Sequence, residues 1–131
     1  MEESIMENGA YGILSLAYMG DAVIETLARR RVITENPNVK PGELVFHTKG
    51  YVTCEAQSDA VEKILPVLTE EESDIFRRGR NAKTHFTPHH GDVIQYKRAT
   101  GFEALMGYLY FCGKDKRIEE LFDIAYSKEK V

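Results

Sequence analysis

Leu14-Ser15-Leu16-Ala17-Tyr18-Met19-Gly20-Asp21-Ala22-Val23-Ile24-Glu25 is the stretch that decides the fold. From Ala10 to about Val32 apolar residues recur at three- and four-residue steps, with Leu14, Ala17, Tyr18, Ala22 and Leu27 on one broad face. That period predicts an amphipathic helix. Asp21 interrupts the stripe. A second segment, Ala99-Thr100-Gly101-Phe102-Glu103-Ala104-Leu105-Met106-Gly107, repeats the oddity with Glu103. Burying an ionised carboxylate is costly unless something positive pairs with it. Glycine inside a helix adds roughly 1 kcal/mol relative to alanine. Two acids brought together where backbones approach closely would account for both costs, and divalent-metal binding is the chemistry that asks for them. A salt bridge or a cap is the plainer alternative for Asp21, and Lys97 and Arg98 stand close enough in sequence to neutralise Glu103.

Outward from these two segments the pattern stays helical. Thr34 to Gly42 is a loop by its Pro, Asn and Gly content, and Pro41 suits the opening of the next helix. Glu43 to about Leu65 reads as one long or two short helices, with Gly50 as the break. Thr69-Glu70-Glu71-Glu72 has capping-box spacing, so a helix starts there and runs to about Lys83, interrupted or ended near Gly79. Thr84 to Gly91, with Pro88 and three histidines, is a polar loop. Asp92 caps a helix through Phe111 that Gly113 ends, and Lys116 to about Lys128 forms a last amphipathic helix. No repeat and no strand pattern stands out. An all-α bundle is the expected architecture.

The 131 residues suit a single domain, and 43% hydrophobic composition supplies a core. No apolar run reaches the roughly 18 residues of a membrane span. The acidic start, Met1-Glu2-Glu3-Ser4, is no signal peptide, and Cys54 and Cys112 form no CxxC, so a reducing, cytoplasmic setting is expected. The net charge of −4 argues against a generic polyanion binder. Its distribution does not, because Arg77 to Arg98 holds six Lys/Arg against one acid, Asp92. Phosphate binding follows the local field rather than the sum.

Phe76-Arg77-Arg78-Gly79-Arg80-Asn81-Ala82-Lys83 gathers donors suited to phosphate and sugar oxygens around a glycine that lets backbone approach a ligand. A solvated basic helix end is the bland alternative. Asp21 and Glu25 share a helix face, yet Glu25 also stands four residues before Arg29, and that ion pair is the preferred reading. His85, His89 and His90 lack the spacing of a zinc site, so phosphate contact or solvation is preferred. Tyr108, Tyr110 and Phe111 read as core, and Cys54 and Cys112 as buried small hydrophobes.

Taken together these residues resemble the ribonuclease III catalytic domain, and more closely the mini-ribonuclease III family. Tyr18-Met19-Gly20-Asp21-Ala22-Val23 and Phe102-Glu103-Ala104-Leu105-Met106-Gly107 match the signatures of the larger family. Arg78-Gly79-Arg80-Asn81-Ala82-Lys83 and Arg98-Ala99-Thr100-Gly101-Phe102-Glu103-Ala104-Leu105 match the marks of the mini family. The resemblance implies one ribonuclease III-like catalytic domain over residues 1–131, forming an α-helical homodimer. It implies Mg²⁺-dependent cleavage of double-stranded RNA, with Mn²⁺ as an alternative ion, and maturation of the large-subunit (23S) ribosomal RNA precursor. In it Asp21 and Glu103 are the catalytic, metal-binding acids, and Tyr18 packs into the partner subunit. We assign Arg77, Arg78, Arg80, Asn81, Lys83, Lys97 and Arg98 to the RNA backbone.

Two departures qualify the match. Larger relatives carry further acids where this chain has Ala17 and Thr100, which leaves two direct carboxylates. A single octahedral Mg²⁺ with several waters suits such a pair, with Thr100 orienting one water. Nor does an appended double-stranded RNA-binding domain fit after the last helix, so the catalytic dimer is expected to grip the duplex itself. A ribosomal protein that presents the RNA is a further candidate partner; a membrane is not. The rival readings are a non-catalytic duplex-RNA-binding dimer and a helical protein-interaction module.

Overall fold

The computed structural model describes residues 11–83 and 92–127. Six α-helices and one 3₁₀ turn make up the regular structure among them, with no strand. Helix α1, Ile13–Glu35, ends where the Asn36 side-chain amide donates to the Val32 carbonyl at 3.0 Å. Helix α2, Pro41–Val52, starts on Pro41, as the fixed proline φ favours. The break that follows falls at Thr53 rather than at Gly50, which lies inside α2. Thr53 adopts extended backbone, and its hydroxyl accepts from the Ala56 amide at 3.2 Å, opening α3, Cys54–Ile64. A hydroxyl that caps the next helix decides the boundary more firmly than a glycine that a helix merely tolerates.

After the 3₁₀ turn Leu65–Val67, helix α4, Glu70–Arg80, begins on the expected capping box. Thr69 Oγ1 accepts from the Glu72 amide at 3.1 Å, while Glu72 accepts from the Thr69 amide at 2.9 Å. The helix runs through Gly79 and stops at Arg80, short of Lys83. Asp92 accepts from the Ile94 amide at 2.7 Å to start α5, Val93–Phe111, and Gly113 ends that segment with φ +71°. Helix α6, Asp115–Ala125, completes the bundle.

Helix α5 is the axis on which α1, α3, α4 and α6 pack. From Ala99 to Leu109 every residue is buried except Glu103, which is half-buried. Such an all-round apolar stretch belongs inside a protein. Phe102, Leu105, Met106 and Leu109 meet Leu16 and Ile24 of α1, Val61 and Ile64 of α3, Phe76 of α4 and Leu121 of α6 in one core. Each such side chain contributes roughly 1.5–3 kcal/mol by leaving water. A polar strut joins the other end of the bundle. The Arg117 guanidinium forks onto both oxygens of buried Glu72 at 2.8 and 2.9 Å, bonds the Val67 carbonyl at 2.8 Å, and pairs with Glu120. Burial alone would push the Glu72 carboxyl up; the Arg117 and Thr69 hydrogen bonds and the Arg117 charge outweigh it and hold it low. Among the described residues no helix is long and apolar enough to cross a membrane.

Candidate active site

The glycines of the two acid-bearing segments meet each other. A Cβ on Gly20 would lie 1.6 Å from the Glu103 carbonyl oxygen, and one on Gly107 would lie 1.8 Å from the Leu16 carbonyl oxygen. Backbone therefore touches backbone where α1 crosses α5, and only glycine fits at either position. Asp21 follows one of these glycines and Glu103 stands one turn before the other, so the crossing sets their carboxyl groups side by side. They hydrogen-bond to each other. Asp21 is exposed, contrary to the expectation from its apolar neighbours, because the stripe turns a free edge outward beside the crossing. Only Glu103 bears the desolvation expected of both.

Burial pushes the Glu103 carboxyl up to about 8, and the hydrogen bond to Asp21 and the Asp21 charge push in the same direction. No Lys or Arg among the described residues forms an ion pair with either acid, so the salt-bridge alternative does not apply there. Two adjacent acids without a cation hold a proton between them near neutrality. A divalent cation relieves the same repulsion, and an all-oxygen pair is the donor set that Mg²⁺ or Mn²⁺ prefers. The described residues offer no cluster of three His, Cys, Asp or Glu for a metal. The fit is to an ion that keeps most of its waters. Ala17 is buried, and the buried Thr100 hydroxyl donates to the Tyr96 carbonyl at 3.0 Å, so its proton is not free to orient a water. Glu25 lies 3.6 Å from Arg29, the ion pair expected of it.

Two groups missed by sequence reasoning lie near Glu103. The Cys54 thiol is pushed up by local desolvation and then by the Glu103 charge. Cys54 is exposed at the first turn of α3, whereas Cys112 is buried as expected. The Tyr126 hydroxyl, raised by burial and then by Glu103, donates to the Tyr51 carbonyl at 2.7 Å. Neither carries a sequence motif, and only the packing of α2, α3 and the end of α6 brings them close.

The basic residues divide into two sets. Gly79 does not invite a ligand: its Cβ would lie 2.7 Å from Ala104 Cβ and 3.2 Å from the Thr100 carbonyl, so it faces α5. That contact holds the C-terminal turn of α4 beside the part of α5 leading to Glu103. Arg78, Asn81, Lys83 and Lys97 are exposed. Arg77 is exposed and paired with Asp74 at 2.7 Å. Half-buried Arg80 lies over the Phe76 ring at 5.9 Å, its Nε donating to Asn81 at 3.3 Å. Arg98 differs from the rest, because it is half-buried, donates to the Ser58 carbonyl at 3.2 Å and pairs with Glu62 at 2.5 Å. Its fork ties α5 to α3. His85, His89 and His90 lie outside the described residues.

Tyr18 is 84% exposed, one helical turn from Leu14 on α1, and Leu14 and Tyr110 are both over 40% exposed. Tyr110 is therefore not core, while Tyr108 is buried and Phe111 half-buried. Tyr110 also lines a groove with Met19, Ala22, Val23, Leu27 and Ile118.

Comparison with known proteins places this arrangement. A family model described as the ribonuclease III domain matches residues 14–114. Mini-ribonuclease 3 of Symbiobacterium thermophilum is 44% identical over 86% of this chain and 85% of its own length. The same-named protein of Brevibacillus brevis is 40% identical over 87% and 84%, and that of Enterococcus faecalis 40% over 88% of each. A crystal structure of a Fusobacterium nucleatum protein superposes with a TM-score of 0.81 at 30% identity, over 90% of this chain and 95% of that one. Matched over most of its length, and with the glycine-flanked acids inside the matched region, the chain belongs to the ribonuclease III family, in its mini-ribonuclease 3 branch.

Proposed function

We propose that the chain is an endoribonuclease of ribonuclease III type that hydrolyses phosphodiesters in double-stranded RNA with Mg²⁺ or Mn²⁺. The observation that carries this reading is the hydrogen-bonded pair of Asp21 and Glu103 at a glycine crossing, with no cationic side chain paired to either among the described residues. These two side chains hold the cation, exposed Asp21 on the solvent side and half-buried Glu103 behind it. The bound ion supplies Lewis-acid stabilisation of charge on the phosphate and lowers the pKa of water. A water oxygen bonds to phosphorus and the bond to the 3′ oxygen breaks, leaving a 5′-phosphate and a 3′-hydroxyl.

Arg77, Arg78, Arg80, Asn81, Lys83 and Lys97 position the RNA backbone; Arg98 acts by fixing α5 against α3. The active form is a homodimer in which Tyr18 packs into the partner subunit, and its exposure together with Leu14 and Tyr110 supports that reading. Two symmetry-related basic surfaces then grip an A-form duplex through phosphates and 2′-hydroxyls. Residues 1–131 act as one catalytic domain in a reducing, cytoplasmic setting. The substrate is the 23S ribosomal RNA precursor, presented with or without a ribosomal protein.

The test is an end-labelled duplex that copies a ribosomal stem, incubated at low salt with Mg²⁺ or EDTA beside the Asp21→Asn variant. Discrete Mg²⁺-dependent cuts lost in the variant support the assignment. A duplex that is bound and left intact, with ribosomal protein present as well as absent, replaces the nuclease with a binding-only dimer. Indifference between duplex and single strand points to a protein-interaction module.

A further inference from the structure

Helices α1 and α2 enclose a groove of about 400 Å³ that begins one turn from the acid pair. Asp21, Glu25 and Arg29 follow one another at four-residue steps on α1, so they share a face. Glu25 and Arg29 line the groove on that side. The other wall is α2, through Lys49 and Val52, and the chain then passes Thr53 to Cys54, which lies within reach of the Glu103 charge. Both walls therefore lead back to the candidate site, one to each of its acids. Arg29 stands eight residues beyond Asp21, about 12 Å along the helix axis.

Buried Val32 and half-buried Leu44 and Val52 form an apolar floor. Exposed Arg29 and Lys49 stand at the rim, one on each helix. Glu25, the one acid of the lining, is engaged with Arg29 at 3.6 Å, and Lys49 forms no ion pair among the described residues. Lys and Arg stems lie along apolar surface while their charged ends project. Two such ends over an apolar floor complement a ribose–phosphate strand, with its charged phosphates and less polar sugar faces. An acidic peptide would match the charge, but it would not need a groove that opens at two carboxylates.

The geometry points to a further RNA contact: the groove between α1 and α2 takes the backbone of the strand whose scissile phosphate lies at Asp21 and Glu103, with Arg29 and Lys49 each binding a phosphate a few nucleotides away. Val32, Leu44 and Val52 meet the ribose between them. The inference rests on reading the acid pair as the point of cleavage, and it adds to the basic turn of α4 rather than replacing it.

The experiment is duplex-RNA binding by fluorescence anisotropy across a salt series, in EDTA so that no strand is cut. It compares wild type, Arg29→Gln, Lys49→Gln, the double variant and Arg30→Gln. Arg30 is exposed, pairs with Glu119 and does not line the groove, so its loss changes the net charge equally elsewhere. Each groove substitution should lower the slope of log affinity against log salt by about 1, and the double variant by about 2. The loss per cation should be roughly 5- to 10-fold at about 0.1 M salt. Arg30→Gln should keep the wild-type slope, and every melting temperature should stay within about 2 °C, since exposed ion pairs contribute little. Wild-type slopes in both single groove variants overturn the inference and leave the nuclease standing. An equal fall in Arg30→Gln also overturns it, because the effect is then one of overall charge. Lighter assemblies of the groove variants in sedimentation equilibrium give the groove to a second copy of the chain. Lost binding of a ribosomal protein with unchanged RNA slopes gives it to that partner, and either result replaces RNA as the occupant. A wild-type protein that neither binds duplex RNA nor cuts it with Mg²⁺ removes the nuclease reading itself, and the inference with it.

Discussion

Glu103→Gln keeps the size of the side chain and removes its charge. In the metal-free fold Glu103 titrates near 8 rather than near its ordinary 4.5, chiefly through burial. The native state therefore keeps a proton that the unfolded chain has released between those values. The stabilisation is complete below about pH 4.5 and is lost as pH rises through about 8. At 1.36 kcal/mol for each pKa unit, and allowing for the part of the group that meets solvent, the cost of ionised Glu103 is on the order of 3 kcal/mol by about pH 9. A glutamine there stays neutral, and its amide donates to Asp21. The metal-free variant should thus melt roughly 10 °C above wild type at about pH 9, and close to it at about pH 5. Differential scanning calorimetry in EDTA reads both. Cleavage by the variant should be lost, and Mg²⁺ should raise the melting temperature of wild type alone. A variant with the same pH slope as wild type would refute the reasoning, because the charge would then cost the fold nothing.

Other substitutions test other parts of the structure. Gly20→Ala places a methyl carbon 1.6 Å from the Glu103 carbonyl; the helices must part, with a loss of about 3 kcal/mol or more in chemical denaturation and loss of cleavage. Arg117→Met strands buried Glu72 and frees the Val67 carbonyl; urea unfolding should show a loss of about 2–4 kcal/mol, with the m-value unchanged. Arg78→Ala should lower the slope of log affinity for duplex RNA against log salt by about 1 without changing the melting temperature. Arg98→Ala should do the reverse, lowering the melting temperature and sparing the slope. Tyr18→Asp should shift the protein from dimer to monomer in sedimentation equilibrium at micromolar concentration, and unchanged mass would remove Tyr18 from the interface.

Local signals are legible in the sequence because their causes are local. Thr69 with Glu72, Asp92, Pro41 and Gly113 each act through hydrogen bonds or φ values within a turn. The break at Thr53 is harder to see because Gly50 draws the eye, although a hydroxyl that satisfies free amides outranks a residue that merely tolerates helix. Gly20 and Gly107 are close-approach positions, as their place beside the acids suggests. Gly79 looks the same in sequence, yet it faces a helix rather than a ligand, a distinction that tertiary packing alone makes. The acid pair is legible as two residues, whereas the exposure of Asp21 and the half-burial of Glu103 are not. Arg98 and Arg78 are chemically identical in the sequence, and only the proximity of Ser58 and Glu62 separates strut from surface. Cys54 and Tyr126 carry no motif and come near Glu103 through the fold alone.

Helices usually meet through side chains, and those can change rotamer, so the gap between axes responds to sequence drift and to heat. Where Gly20 crosses Gly107, main chain rests on main chain, and the joint contains no rotamer to soften. It works as a mechanical stop, a fixed gauge length from which both carboxyl groups are measured. Their separation can wander only through the torsions of the Asp21 and Glu103 side chains themselves. Substitution elsewhere in the core can weaken the bundle a good deal before it changes the span of the jaws.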